Sequence, residues 1–309
     1  MNSIVTKRRI LIILGITAWI FVTWKAFPML SSLVHQGRNL VDEFHPAALV
    51  FVFLLMPINW ALESFKWFLL VKSELSGGFR QAYFSVISGL SLGLLTPNRV
   101  GEPFARSMLL KSESFVLTTA AALLCSLAQQ ITTLLFGILG LSIMLNHSDS
   151  ASSNARLHHI LAISIIIALF SATLLLAIPS LVKKIARLSQ MKTLRQSLKS
   201  LSYFGTKNTL KVTLLSLVRY FVFAGQYLLL LYGLGSSFSW VMAAAAIAII
   251  FVGGSVIPSL VFTNIGIRVA LAIIFLGPIA GQNIAIAAST LLWLINIGLV
   301  SSIGSILLL

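Results

Sequence analysis

Acid is scarce in this chain: seven Asp and Glu in 309 residues, against 22 Lys and Arg. So few carboxylates, mostly dispersed, leave little for general acid–base chemistry. Cysteine occurs once, as Cys125, which excludes an internal disulfide and any multi-cysteine metal site. The histidines, His35, His45, His147, His158 and His159, stand at loop or helix-end positions. No HExxH pair, Walker-type phosphate loop or GxSxG nucleophile turn is present. No catalytic residue, metal ligand or cofactor is therefore expected, and the chain reads as a non-enzyme. Charged residues make up 9% of the sequence, where soluble domains carry about 25%; no soluble catalytic domain fits in that composition.

What is abundant is hydrocarbon. Hydrophobic residues are 58% of the chain and the mean hydropathy is +1.00, the composition of a polytopic membrane protein. Apolar segments run at about 10–29, 47–71, 81–96, 114–145, 158–179, 212–234, 239–257 and 282–308. A spanning helix needs about 20 residues. Six segments reach that length; those at 81–96 and 239–257 are short and run into Pro/Gly interruptions. The net charge of +15 sits mostly in loops, as the positive-inside bias produces, so nucleic acid is not expected as a partner. Lys7-Arg8-Arg9 before Ile10 to Val22 resembles a signal peptide but lacks a small-x-small cleavage site, so a retained first helix with a cytoplasmic N-terminus is expected.

Loop charge sets the topology. The connection 30–46 carries Arg38 against Asp42 and Glu43 and is placed outside; the near-neutral loop Asn146 to Leu157 is also placed outside. Between Lys183 and Lys211 there are eight basic residues and no acid, the strongest inside signal. Leucines and isoleucines recur there at helical spacing, which predicts a basic cytoplasmic amphipathic linker over 180–211. Both ends of 81–113 then lie on one side, so that stretch is predicted to be a re-entrant hairpin (81–110) broken at Pro97. Segment 239–277, broken near Pro258, is predicted to be a second hairpin entering from the opposite side. The expected fold class is an all-α polytopic membrane protein: six full transmembrane helices plus two re-entrant helical hairpins arranged as an inverted repeat. One integral-membrane domain, 1–309, would comprise halves 1–179 and 212–309 joined by the linker, with both termini cytoplasmic in an inner or plasma membrane.

The richest stretch is Thr96-Pro97-Asn98-Arg99-Val100-Gly101-Glu102-Pro103-Phe104-Ala105-Arg106. Ionisable groups inside a bilayer are costly and mark functional sites by default. A helix that starts within the membrane presents free N–H groups and a positive dipole end, a natural place for phosphate. Asn98 or Thr96 is expected to cap that helix, Gly101 to permit close approach, and Arg99 and Arg106 to add bidentate bonds. Glu102 would offset an arginine or bond the free N–H groups. In the second break Asn264, Gly266 and Arg268 would play similar parts. Glu63 and Lys66 sit at i, i+3 and can pair; Arg219 and Gln226 share roughly one helix face. Plainer readings compete: Arg99, Glu102 and Arg106 as a self-neutralising tip, and Lys66 and Arg219 snorkelling to the interface.

Thr96 to Glu102 followed by Arg106 resembles the "TPgrvGE…R" motif of the lysylphosphatidylglycerol synthase transmembrane-region family, the flippase-like membrane half of multiple peptide resistance factor proteins. Pro258-Ser259 and Ile265-Gly266-Ile267-Arg268 resemble the family's second motif, with Val269 where a Glu is common and Thr263-Asn264 where glycines are common. The resemblance covers most of the chain. It implies lipid translocation between leaflets, with aminoacylated phosphatidylglycerol as the best-known cargo, and does not imply synthesis. The expected function is a lipid flippase or transporter moving a phospholipid or lipid-linked phosphate. The alternative is a non-catalytic scaffold or accessory subunit of a cell-envelope or glycolipid biosynthetic enzyme. Expected partners are that anionic lipid and the membrane, with a homo-oligomer or a biosynthetic enzyme as the candidate protein partner.

Overall fold

Four helices in the computed structural model have the length and apolar character to cross a bilayer: α1 (Pro46–Val71), α4 (Phe115–Asn146), α6 (Thr206–Gly233) and α9 (Gln282–Ile306). The structure describes residues 45–110, 115–147, 158–159, 162–173, 205–257 and 261–308, with isolated positions between 175 and 184. Among the described residues there are helices and no strands, and the fold is that of an all-α polytopic membrane protein. The expected first span at 10–29, Pro258 and most of the basic linker lie outside the described residues. Within 158–179 the structure describes helix α5 (Ala162–Thr173).

The polarity of α1 is inverted relative to a soluble helix. It exposes Val50, Phe51, Phe53 and Leu54 and buries Asn59, Glu63 and Lys66. In water such an apolar face would demand a partner; in lipid it needs none, while buried charge must find its partners inside the protein.

Two helical hairpins fill the space between the long helices. The first has arms α2 (Gly78–Gly93) and α3 (Glu102–Met108), the second α7 (Trp240–Val256) and α8 (Val261–Phe275). At 1.5 Å per residue α2 and α7 are about 24 and 26 Å long, short of a hydrocarbon core of about 30 Å. Glycines let the arms close. A Cβ on Gly89 would lie 2.8 Å from that of Arg106, and one on Gly93 would lie 2.7 Å from that of Glu102. In the second hairpin Gly253 lies on Leu271 and Gly254 on Arg268.

The two halves repeat each other. α1 and α6 pack together; α2 lies along the end of α9 as α7 lies along α4; α3 packs on α4 as α8 packs on α9. α1 and α6 are antiparallel. Gln226 bonds the Val52 carbonyl at 2.8 Å, Arg219 the Asn59 carbonyl at 3.3 Å and Lys66 the Ser216 hydroxyl at 3.1 Å, so one chain descends as the other rises. Equivalent but antiparallel helices place the two hairpins at opposite ends of the bundle, which is the inverted arrangement.

Several boundaries differ from expectation. α6 begins at Thr206, not 212, so Lys207 and Lys211 belong to its first turns instead of to the linker. α8 begins at Val261, so Asn264, expected in the break ahead of a return helix from about 266, lies within a helix together with Gly266. β-Branched Val261 and Thr263 do not break a helix that packs against α7 and α9. α9 is not uniform either: Leu294–Leu299 forms a π-helical turn, and the Asn296 carbonyl accepts Trp60 Nε1–H at 3.0 Å.

Glycines also decide how each hairpin sits in the other half. A Cβ on Gly140 of α4 would lie 2.6 Å from the Ala245 carbonyl oxygen, and one on Gly304 of α9 would strike the Ile87 carbonyl and Ser91 hydroxyl. Ser91 Oγ donates to the Ser301 carbonyl there at 2.6 Å. Gly140→Val and Gly304→Val are each expected to lose about 1–3 kcal/mol, read as a lower unfolding midpoint in detergent. Gly225→Ala, where a Cβ meets nothing within 4 Å, should keep or raise it.

Candidate functional site

The tip of the first hairpin is wound tightly. Thr96 Oγ1 donates to the Gly93 carbonyl at 2.7 Å and accepts the Gly101 N–H at 2.9 Å. A 3-10 turn over Pro97–Arg99 follows α2, with Asn98 and Arg99 both left-handed at φ 46° and 57°. Neither is glycine, so the backbone here is strained, as it often is at working sites. The strain aims the Asn98 side chain at the other hairpin: its Nδ2 reaches the Ile257 carbonyl at 3.5 Å. Leu94 of this tip also packs with Ile265, Trp293 and Ile297. The two breaks therefore meet inside the bundle.

Behind the tip lies a buried charge cluster. The Glu63 carboxylate receives Lys66 Nζ at 2.7 Å, Arg219 Nη1 at 3.2 Å and Arg106 Nη1 at 3.3 Å. Arg106 also pairs with Glu102 through its other terminal nitrogen, and Arg99 lies 3.9 Å from the second Glu102 oxygen. Lys66 bonds Gln129 Oε1 and Ser216 Oγ, each at 3.1 Å, and Arg219 also reaches Gln129 Oε1 at 3.3 Å. The guanidinium of Arg106 lies over Trp67 and that of Arg219 over Trp60. Lys66 and Arg106 are almost wholly buried, while the Arg99 side chain keeps 35% of its surface. Two buried cations and the partly buried Arg219 share two carboxylates, leaving an excess positive charge.

In the second hairpin Arg268 Nε donates to Asn264 Oδ1 at 2.9 Å, and Asn264 Nδ2 donates to the Gly254 carbonyl at 2.9 Å. Arg268 lines a narrow cavity with Tyr227, Ser289 and Trp293.

The lysylphosphatidylglycerol synthase TM region model matches residues 9–304. The chain belongs to that family. No curated protein matches the chain. Membership fits a membrane-embedded protein tied to lipid metabolism or lipid flipping.

The structure sorts the residues singled out in the sequence. It joins Glu63, Lys66, Glu102, Arg106 and Arg219 in one cluster. Lys66 and Arg219 turn inward and do not snorkel. Arg106 is committed to two carboxylates, which leaves Arg99 as the accessible arginine of this tip. Neither Asn98 nor Thr96 caps α3: the intervening 3-10 turn takes both elsewhere, and Glu102 fills the first turn with the protein's own carboxylate. Gln226 bonds α1 away from the tip, and Gly266 faces open space. Gln129, Ser216, Asn296 and Tyr227 escaped notice because a polar residue in an apolar segment announces no partner. Asn59 bonds Asn296 at 3.0 Å across a sequence gap of 237 residues.

Proposed function

We propose that this protein moves a phosphate-bearing lipid between membrane leaflets by alternating access, and that it is not an enzyme. The reading rests chiefly on one observation: two inverted hairpins meet at their tips, the first of which carries Arg99 and Glu102. Paired interrupted helices in corresponding halves are where transporters place substrate near the bilayer midplane. Each hairpin would enter and leave on one side of an inner or plasma membrane, with both termini cytoplasmic. The headgroup phosphate would be met by Arg99 and Arg268, with Arg106 holding the tip in shape, and acyl chains would stay in lipid beside the exposed apolar faces. Aminoacylated phosphatidylglycerol is one cargo that family membership suggests.

The test is a leaflet-translocation assay in proteoliposomes with a fluorescent phosphatidylglycerol. Arg99→Ala is expected to slow translocation about tenfold by removing a charge-assisted contact to phosphate. Equal rates for wild type and Arg99→Ala would overturn the proposed role of the tip. Copurification with a biosynthetic enzyme and no translocation by the wild type would overturn transport itself.

A further inference from the structure

The two hairpins are built alike but charged differently. In each, an arginine of the second arm lies across a glycine of the first: Arg106 on Gly89, Arg268 on Gly254. In each, the residue four positions earlier bonds that arginine. There the likeness stops. That residue is Glu102 in the first hairpin and the neutral Asn264 in the second. The long helix of the same half supplies Arg106 with a second carboxylate, Glu63 of α1. The equivalent helix, α6, brings Tyr227 to the cavity of Arg268. Among the described residues no carboxylate pairs with Arg268, and its terminal nitrogens have no acceptor.

Tyr227 adds an independent sign. Its side chain is 1% exposed, and its hydroxyl makes no well-formed hydrogen bond, only a weak approach to Ser289. Leaving such a group buried and unpaired costs about 1–3 kcal/mol. Ser289, 3% exposed, stands in the same wall. An unneutralised guanidinium and two buried hydroxyls thus line one cavity, whose remaining wall is apolar: Phe223, Leu292, Trp293. Gly254 keeps the guanidinium face clear, since a Cβ there would sit 2.9 Å from its central carbon.

We infer that Arg268, Tyr227 and Ser289 form an oxyanion site for a phosphate group, the two terminal nitrogens of Arg268 and the hydroxyls of Tyr227 and Ser289 donating to its oxygens. Arg268 matches phosphate in a bidentate fork, and Asn264 orients it without cancelling its charge. The narrow cavity admits the group only when α7 and α8 part from α9. The two equivalent arginines therefore differ: Arg106 of the first hairpin is answered by the protein's own carboxylates, and Arg268 of the second waits for the ligand's charge. The choice of a lipid headgroup as the phosphate source rests on the transport reading above; the site itself does not.

The experiment uses the full chain, purified in detergent, with dioctanoylphosphatidylglycerol and inorganic phosphate as probes and calorimetry as the readout. Arg268→Gln is expected to weaken the lipid about tenfold or more, as loss of a charged hydrogen-bonding group does. Tyr227→Phe is expected to weaken it about threefold or more while its unfolding midpoint stays at or above that of the wild type, because the hydroxyl has no well-formed bond to lose. Competition by inorganic phosphate assigns recognition to the bare phosphate group; lipid binding without competition assigns it to the lipid headgroup, and either supports the site. Affinity unchanged in both variants, or no binding of either probe by the wild type, overturns it. A wild type that binds through Arg268 yet moves no lipid overturns transport and keeps the site. A wild type that moves lipid with an affinity indifferent to Arg268 does the reverse.

Discussion

Glu63→Gln is expected to destabilise this protein by about 3–5 kcal/mol, the usual result of leaving buried charge without its counter-ion. The reason is convergence. One carboxylate, 5% exposed, answers Lys66 from its own helix, Arg106 from the first hairpin and Arg219 from the opposite half. An amide of the same shape removes the negative charge and leaves three cations facing one another, with only Glu102 remaining. Burial keeps water from relieving them: Lys66 and Arg106 are almost wholly buried, Arg106 against Trp67, and Arg219 keeps only 18% of its side-chain surface. The account is one of charge balance, so a second substitution should recover part of the loss. Glu63→Gln combined with Lys66→Met returns the cluster to its original net charge and is expected to unfold at a higher midpoint than Glu63→Gln alone. Unfolding in detergent, followed by circular dichroism, reads both. A double variant no better than the single one would mean that Glu63 acts through shape instead of charge.

Joining the hairpin tips is expected to stop transport. Asn98 of one tip reaches the backbone of Ile257 in the other, so cysteines at these positions lie within the span of a short cleavable cross-linker. The native chain has one thiol, Cys125, fully buried, which keeps background reaction low. Alternating access requires one inverted repeat to move against the other around the site. The cross-linked Asn98→Cys/Ile257→Cys protein should therefore translocate lipid at about a tenth of the uncoupled rate or less, as expected when a gating motion limits turnover. Cleaving the linker should restore it. A linked protein that works at full rate would show that the tips need not part, and alternating access around them would have to be abandoned. The same variant without linker controls for the loss of the Asn98 bond.

Parts of this site were readable in advance because their physics is local. Glu63 and Lys66 are one turn apart, and no long-range information is needed to expect a pair at i, i+3. Pro97 and Gly101 interrupt an apolar run, so a break there follows from backbone chemistry. The second break was read less well, since Asn264 and Gly266 resemble loop residues until α7 and α9 are packed against them and hold them helical. The competing view of the first tip as self-neutralising describes Arg106, held by two carboxylates, more fully than Arg99, which lies 3.9 Å from Glu102 and keeps 35% of its side-chain surface, a division set by depth and not by residue type.

The sequence by itself determined that this is a membrane protein: apolar runs long enough to span cannot be dissolved any other way, and the scarcity of acid makes each buried carboxylate consequential. It also determined where the chain must break, because proline and glycine act on their own residue and its neighbours. Only the tertiary structure decided which cation meets which anion. Glu63 and Arg106 are 43 residues apart and Lys66 and Ser216 are 150 apart; such pairs form because antiparallel helices and a glycine-lined hairpin bring them within 4 Å, in surroundings too apolar to leave either partner alone. That packing is also what leaves Arg268, on a near copy of the same hairpin, with no acid among the described residues to answer it.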